Sequence, residues 1–180
     1  MLRLFWYFYA DRFYRDKWQH RIFPQHYWLL RIIRKLNPKN ILEAGCGFGR
    51  NLNFLLEQGI APHQLTGTDF SSRLLRHINL PGVKLQRASV QKLPFRSAQF
   101  DLVFTHGLLM HIPRPASALA EIIRVSRRWL VVIEETREKP GRINHFTWAH
   151  DYSKLVSEFN FKVLDERHDQ HHLVWYLLKT

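Results

Sequence analysis

Apolar positions along this chain switch repeatedly between two periods. Short apolar runs of strand length occur in NILEAG (40–45), QLTGTD (64–69), GVKLQRAS (82–89), FDLVFTHG (100–107) and RWLVVIEET (128–136). Between them the spacing turns helical. RNLNFLLEQG (50–59) ends at Gly59, a helix after Asp69 takes Ser71 or Ser72 as its cap, and residues 116–125 follow Pro113 and Pro115. Another helix starts near Asp151, an N-cap residue. FKVLDERHD (161–169) and HHLVWYLLKT (171–180) then read as two strands joined by a tight turn at Asp169-Gln170. Strands so closely connected are antiparallel, whereas strands separated by helices pair in parallel through right-handed crossovers. The pattern predicts an α/β fold: a doubly wound, mostly parallel seven-stranded sheet ending in an antiparallel hairpin.

Two helices precede this alternation, with a break at Pro24. Leu2, Phe5, Trp6, Tyr9 and Phe13 fall at i, i+3, i+4, i+7 and i+11, one helical face. That face predicts packing, so residues 1–36 are expected to form a helical lid on a core of residues 37–180, within a single domain. Charge adds a second possibility. Residues 1–40 hold nine Lys/Arg against two Asp, which is +7 of the net +12, and 11 of the 25 aromatic side chains. A basic, aromatic arm also suits nucleic acid or a membrane surface, but the regular period favours packing with the arginines in solvent. The apolar start is too short to span a bilayer and is soon broken by Asp11, Arg12 and Arg15. One cysteine, Cys46, excludes an internal disulfide and fits a reducing compartment. A cytoplasmic protein is expected.

The stretch ILEAGCGFGRNLN (41–53) places glycines at 45, 47 and 49, between a strand and a helix. A dinucleotide-binding loop would need its third glycine at position 50, which is Arg50, and no Gly-Lys-Ser/Thr follows for a phosphate loop. In an open α/β sheet ligands bind beyond the carboxyl ends of the strands. Asp69 ends the adjacent strand, where a carboxylate can accept from two vicinal ribose hydroxyls.

Over residues 39–180 the chain resembles the class I S-adenosylmethionine-dependent methyltransferases. The likeness lies in ILEAGCGFG, LTGTD and RASVQKLPFRSAQFDLVFTHGLLMHI. FTHGLLMHI and EIIRVSRRWLVV are similar to a branch described as pseudaminic acid biosynthesis-associated methylases. The resemblance implies a Rossmann-like fold and S-adenosyl-L-methionine as cofactor. It implies that Glu43, Gly45, Gly47, Gly49 and Asp69 meet that cofactor, with Phe70, Ser89, Val90 and Thr105 around it. Relatives often have an acid at the position of Ser89, the first of the two adenine-side residues. A lid would bring Tyr14 or Trp18 near the cofactor.

The loop after the fourth strand is where such enzymes keep acceptor-side residues. It lacks the Asn/Asp-Pro-Pro-aromatic of base-amine methylation, a catalytic cysteine and the aspartates of metal-dependent relatives, so no metal is expected. His106 and His111 remain as catalytic acid/base candidates. Five residues apart on a helix from Gly107, they are not expected to share a task, and His106 is the better choice. His168, His171 and His172 read as a solvated turn, and Cys46 as inert. The expected activity is methyl transfer to an O or N acceptor on a small polar molecule, in one version sugar-derived. The alternatives are an RNA-directed methyltransferase using the basic arm, or a non-catalytic cofactor-binding module.

Overall fold

The computed structural model describes residues 2–136, 139–159, 161–168 and 173–179, with side chains from residue 8 onward. Its helices are α1 (Leu2–Arg15), α2 (Pro24–Leu36), α3 (Arg50–Glu57), α4 (Ser72–Leu75), α5 (Ala116–Val125) and α6 (Tyr152–Glu158). Its strands are β1 (Ile41–Ala44), β2 (Leu65–Asp69), β3 (Lys84–Arg87), β4 (Phe100–His106), β5 (Ser126–Glu135), β6 (Gly141–Arg142), β7 (Trp148–Ala149), β8 (Lys162–His168) and β9 (Leu173–Lys179).

Seven of them form one sheet in the order β3-β2-β1-β4-β5-β9-β8. The first five pair in parallel, and β9 runs antiparallel between β5 and β8. This is the expected Rossmann-like architecture. The period of two along each strand sends alternate side chains to opposite faces. Leu102 and Phe104 of β4 pack with Trp28, Leu29 and Ile33 of α2 and Leu52 and Leu55 of α3. Val103 packs with Leu119 and Ile122 of α5 and Tyr152 and Val156 of α6. Each such side chain, taken out of water, contributes about 1.5–3 kcal/mol before the cost of ordering it. The edge strand β8 is mostly exposed and charged, which discourages pairing with another sheet. Trp28 Nε1–H donates to Asp165 Oδ2 on it at 3.0 Å, tying α2 to that edge.

Local signals explain most boundaries. Ser71 Oγ accepts from Leu74 N–H and Asp151 Oδ1 from Lys154 N–H, so both expected caps form. Pro24 opens α2 at its first turn, where its missing N–H costs nothing. Between α1 and α2 lies a short 3₁₀ helix, Lys17–His20, capped by Asp16.

Two expectations change. Tyr9 is 44% exposed while Ala10 is buried, so the packed face of α1 is rotated from the predicted stripe. The side chains of Leu2, Phe5 and Trp6 lie outside the described residues, as do the turn at Asp169-Gln170 and His171 and His172. After Gly107 there is only a single 3₁₀ turn, Leu109–His111, instead of a helix. The β6–β7 ribbon was not anticipated, because two residues per strand are too few to show a period.

Candidate active site

The chain leaves β1 through glycines with positive φ: +77° at Gly45, +56° at Gly47 and +85° at Gly49. A side chain at Gly45 would press its Cβ to 2.6 Å from Leu108 Cδ1 and force that leucine to shift, on a left-handed backbone that favours glycine. A Cβ on Gly47 would meet nothing within 4 Å. Gly47 borders a cavity of about 440 Å³ beyond the carboxyl ends of β1, β2 and β4. Gly49 does not line it; it caps α3 and faces Ile78.

Asp69 is held by the loop it faces. Its Oδ2 accepts from Gly47 N–H at 3.0 Å and its Oδ1 from Ser71 N–H at 2.8 Å. Burial pushes its carboxyl up to about 6, while the amides of Ser71, Gly47 and Phe70 pull the other way. Each oxygen keeps acceptor capacity for a hydroxyl.

A buried polar relay crosses the cavity floor. Asn51 Nδ2 donates to Glu43 Oε1 at 2.5 Å, and Asn51 Oδ1 lies 3.1 Å from His106 Nδ1. With its amine turned to Glu43, Asn51 presents only an acceptor to His106. His106 therefore carries its proton on Nδ1 and keeps the Nε2 lone pair. Burial, with Arg50 and His26 adding to it, holds this imidazole well below the usual histidine range. Burial pushes the Glu43 carboxyl up to about 8, against the effects of Asn51 and Arg50. Glu43 Oε2 is buried with no hydrogen-bond partner among the described residues. His26 of α2 sets its ring edge-on to His106, centroids 4.9 Å apart. Its own imidazole is pushed down to about 4, chiefly by burial.

His111 also lines the cavity. Phe146 O, 2.8 Å away, can only accept, so His111 Nδ1 donates to it. Phe146 belongs to the link between β6 and β7, which explains what that ribbon does for the site. Glu134 at the end of β5 accepts from Leu108 N–H and Met110 N–H, both at 3.1 Å, and so fixes the 3₁₀ turn that presents His111. Burial pushes Glu134 up to about 7.

Glu43, Gly45, Gly47, Asp69, Phe70, Ser89 and Val90 thus share one cavity with both His106 and His111. The two histidines, which were not expected to share a task, line the same cavity. Two anticipated residues are not there. Thr105 is fully buried away from the cavity, because the strand period that aims His106 inward turns its neighbour to the other face. Trp18 is 54% exposed and packs on Phe23, while Tyr14 stacks on His77 at 3.9 Å. The arm supplies Phe13 and Gln19 instead, with Gln19 O accepting from Arg50 Nη1 at 3.1 Å. Cys46 is buried with its thiol pushed up by desolvation, in keeping with an inert role.

Asn51, Arg50 and His26 escaped the sequence reading. A polar residue buried in the first turn of an apolar helix was the available signal for Asn51.

Comparison with known proteins agrees with this fold. The methyltransferase domain family matches residues 42–129. A phthiotriol/phenolphthiotriol dimycocerosates methyltransferase from Mycobacterium ulcerans is 32% identical over 97 residues, 52% of this chain and 35% of that protein. A demethylmenaquinone methyltransferase from Lactiplantibacillus plantarum is 30% identical over 67% of this chain and 54% of its own length. The chain thus spans between about a third and just over half of these curated relatives. The crystal structure of the Burkholderia thailandensis 1,6-didemethyltoxoflavin-N1-methyltransferase, with bound 1,6-didemethyltoxoflavin and S-adenosylhomocysteine, superposes with a TM-score of 0.72. It is 21% identical and covers 99% of this chain and 85% of its own.

Proposed function

We propose that this chain, which belongs to the class I S-adenosylmethionine-dependent methyltransferases, transfers a methyl group from S-adenosylmethionine to an oxygen or nitrogen of a small-molecule acceptor, with His106 as the base. The observation that carries the reading is the placement of His106, its Nδ1 held by Asn51, in the same cavity as the glycine loop and Asp69.

The residues present fit the cofactor. Gly47 leaves open space where any side chain would intrude, and Glu43 Oε2 is a buried oxygen without a hydrogen-bond partner among the described residues. Asp69 would take the ribose hydroxyls, Phe70 and Val90 would flank the adenine, and Glu43 would face the amino-acid end. Ser89 replaces a carboxylate with a hydroxyl, so its contact there is a neutral hydrogen bond. Bound in this cavity, the cofactor supplies an electrophilic methyl group.

What the chain's own residues do is align, exclude water and move a proton. Alignment in a closed site accounts for several kcal/mol of barrier. His106 stays neutral at pH 7, and its Nε2 lone pair is the proton acceptor. An imidazole held below its usual range is matched to an acidic proton, such as that of a phenol, an enol or an ammonium. Phe13, Phe48, Phe70, Ile112 and Pro113 make much of the wall apolar, which favours an acceptor with an apolar body over a sugar-derived one.

The test is His106→Ala. Turnover of labelled cofactor on the acceptor should fall by ~10²–10⁴, with calorimetric affinity for S-adenosylhomocysteine unchanged. Near wild-type turnover would assign His106 to structure.

A further inference from the structure

We propose that the outer face of residues 8–27 docks this chain on an anionic lipid bilayer. Among the described residues nine large apolar side chains are exposed, and five of them crowd into this stretch: Phe8, Tyr9, Trp18, Ile22 and Tyr27. The other four are scattered over β3, the β6–β7 link and β8.

Exposed charge in the same stretch is mostly positive. Its two acids are engaged within the protein: Asp11 lies 3.1 Å from His77 Nε2 and 3.7 Å from Arg73 on the α4 side, and Asp16 accepts from Trp18 N–H as a cap. Its cations Arg12, Arg15, Lys17 and Arg21 are exposed. On α1, Phe8, Arg12 and Arg15 fall at i, i+4 and i+7, opposite the buried Ala10. The stretch therefore presents rings with four exposed cations against one exposed acid, Asp16, while Asp11 is drawn toward α4.

That combination fits an interface where rings enter the headgroup layer and cations meet lipid phosphates. Nucleic acid would use the cations and flat rings but gives no partner to Ile22. No helix among the described residues is long and apolar enough to cross a membrane, so the attachment is peripheral. The inner side of the same arm supplies Phe13 and Gln19 to the cavity wall. Docking would thus set that wall about one helix diameter, ~10 Å, from the lipid. The proposal adds a surface to the methyl-transfer reading, and its test needs no catalysis.

The full chain is sedimented with vesicles of phosphatidylcholine containing about 30% phosphatidylglycerol, and with phosphatidylcholine alone, at low and high salt. It should pellet with the anionic vesicles only, and salt should release it. Replacing Arg12, Arg15, Lys17 and Arg21 by Gln should lower partitioning at least ~100-fold, at about fivefold per cation. Replacing Trp18, Ile22 and Tyr27 by Ser should lower it at least ~10-fold. Both variants should keep their calorimetric affinity for S-adenosylhomocysteine, which shows that they fold. Absence of pelleting with anionic vesicles, or pelleting that the serine changes leave intact, overturns the proposal. So does tighter binding of a single-stranded RNA oligonucleotide than of the vesicles. A chain that docks yet transfers no methyl group supports the docking and sinks the catalytic reading instead.

Discussion

Asn51 Oδ1 lies 3.1 Å from His106 Nδ1 while Asn51 Nδ2 lies 2.5 Å from Glu43 Oε1, so one amide decides which nitrogen of the histidine bears the proton. In water the Nε2–H form is open to a neutral imidazole; here the Nδ1–H form is imposed. Nitrogen NMR should find Nδ1 protonated in the wild type, and Asn51→Ala should shift the population toward Nε2–H. Turnover should fall about 10–100-fold, the usual cost of losing a supporting residue of this kind. An unchanged tautomer in the variant would remove Asn51 from this role.

Glu43 should make stability depend on pH. Its folded pKa of about 8 lies above the ordinary 4.5, so the folded state binds the proton more tightly than the unfolded chain. Its contribution is then fully present below about pH 4.5 and is lost as pH rises through about 8. Glu43→Gln keeps an acceptor for Asn51 and carries no charge. At pH 9 the variant should melt several degrees above the wild type, at about 2–4 °C per kcal/mol for a chain of this size. Below pH 4.5 the gap should close. A gap that stays constant across the range would mean that Glu43 does not titrate in this way. Its retention despite this cost suits a group kept for the site.

Two glycines separate backbone strain from ligand contact. Gly47 and Gly59 both have positive φ, +56° and +86°, and a Cβ on either would meet nothing within 4 Å. Only Gly47 borders the cavity. Ala at either position should cost about 1–2 kcal/mol of stability from the left-handed backbone alone. Affinity for S-adenosylhomocysteine should drop in Gly47→Ala and hold in Gly59→Ala. Equal affinities in the two variants would place the cofactor elsewhere.

Asp69→Ala should weaken the same affinity by about 1.5–3 kcal/mol, the scale of a hydrogen bond to a charged group. Calorimetry reads it directly. Because Asp69 also accepts from Gly47 and Ser71 N–H, the variant should lose some stability too. Unchanged affinity would leave Asp69 with a loop-holding role alone.

The inner strands β4, β5 and β9 were legible because each buries a mostly apolar run, and the caps at Ser71 and Asp151 because one residue decides each. That Asp69 and the glycine loop would border one cavity was legible because both lie where adjacent parallel strands end, at the point where β1 feeds α3. The relay was not, since Asn51 and His106 are 55 positions apart and meet only through tertiary packing. Thr105 was misplaced by treating a strand end as one point, when successive side chains point opposite ways. Trp18 was misplaced because the arm turns through a 3₁₀ helix between α1 and α2, which no apolar period marks.

The arm's inner contacts give the last prediction. Tyr14 stacks on His77 at 3.9 Å, Asp11 Oδ1 lies 3.1 Å from His77 Nε2, and Arg50 ties Gln19 to α3. If residues 1–36 close over a bound cofactor, ligand and arm stabilise each other by mass action. Trypsin cleavage after Lys17 or Arg21 should slow about tenfold with S-adenosylhomocysteine at ten times its Kd. His77 does not line the cavity, and His77→Ala removes the stack and the Asp11 contact. It should speed cleavage without ligand and weaken ligand affinity modestly. Cleavage that ignores the ligand in the wild type would mean that the arm is a wall of the site and never its lid.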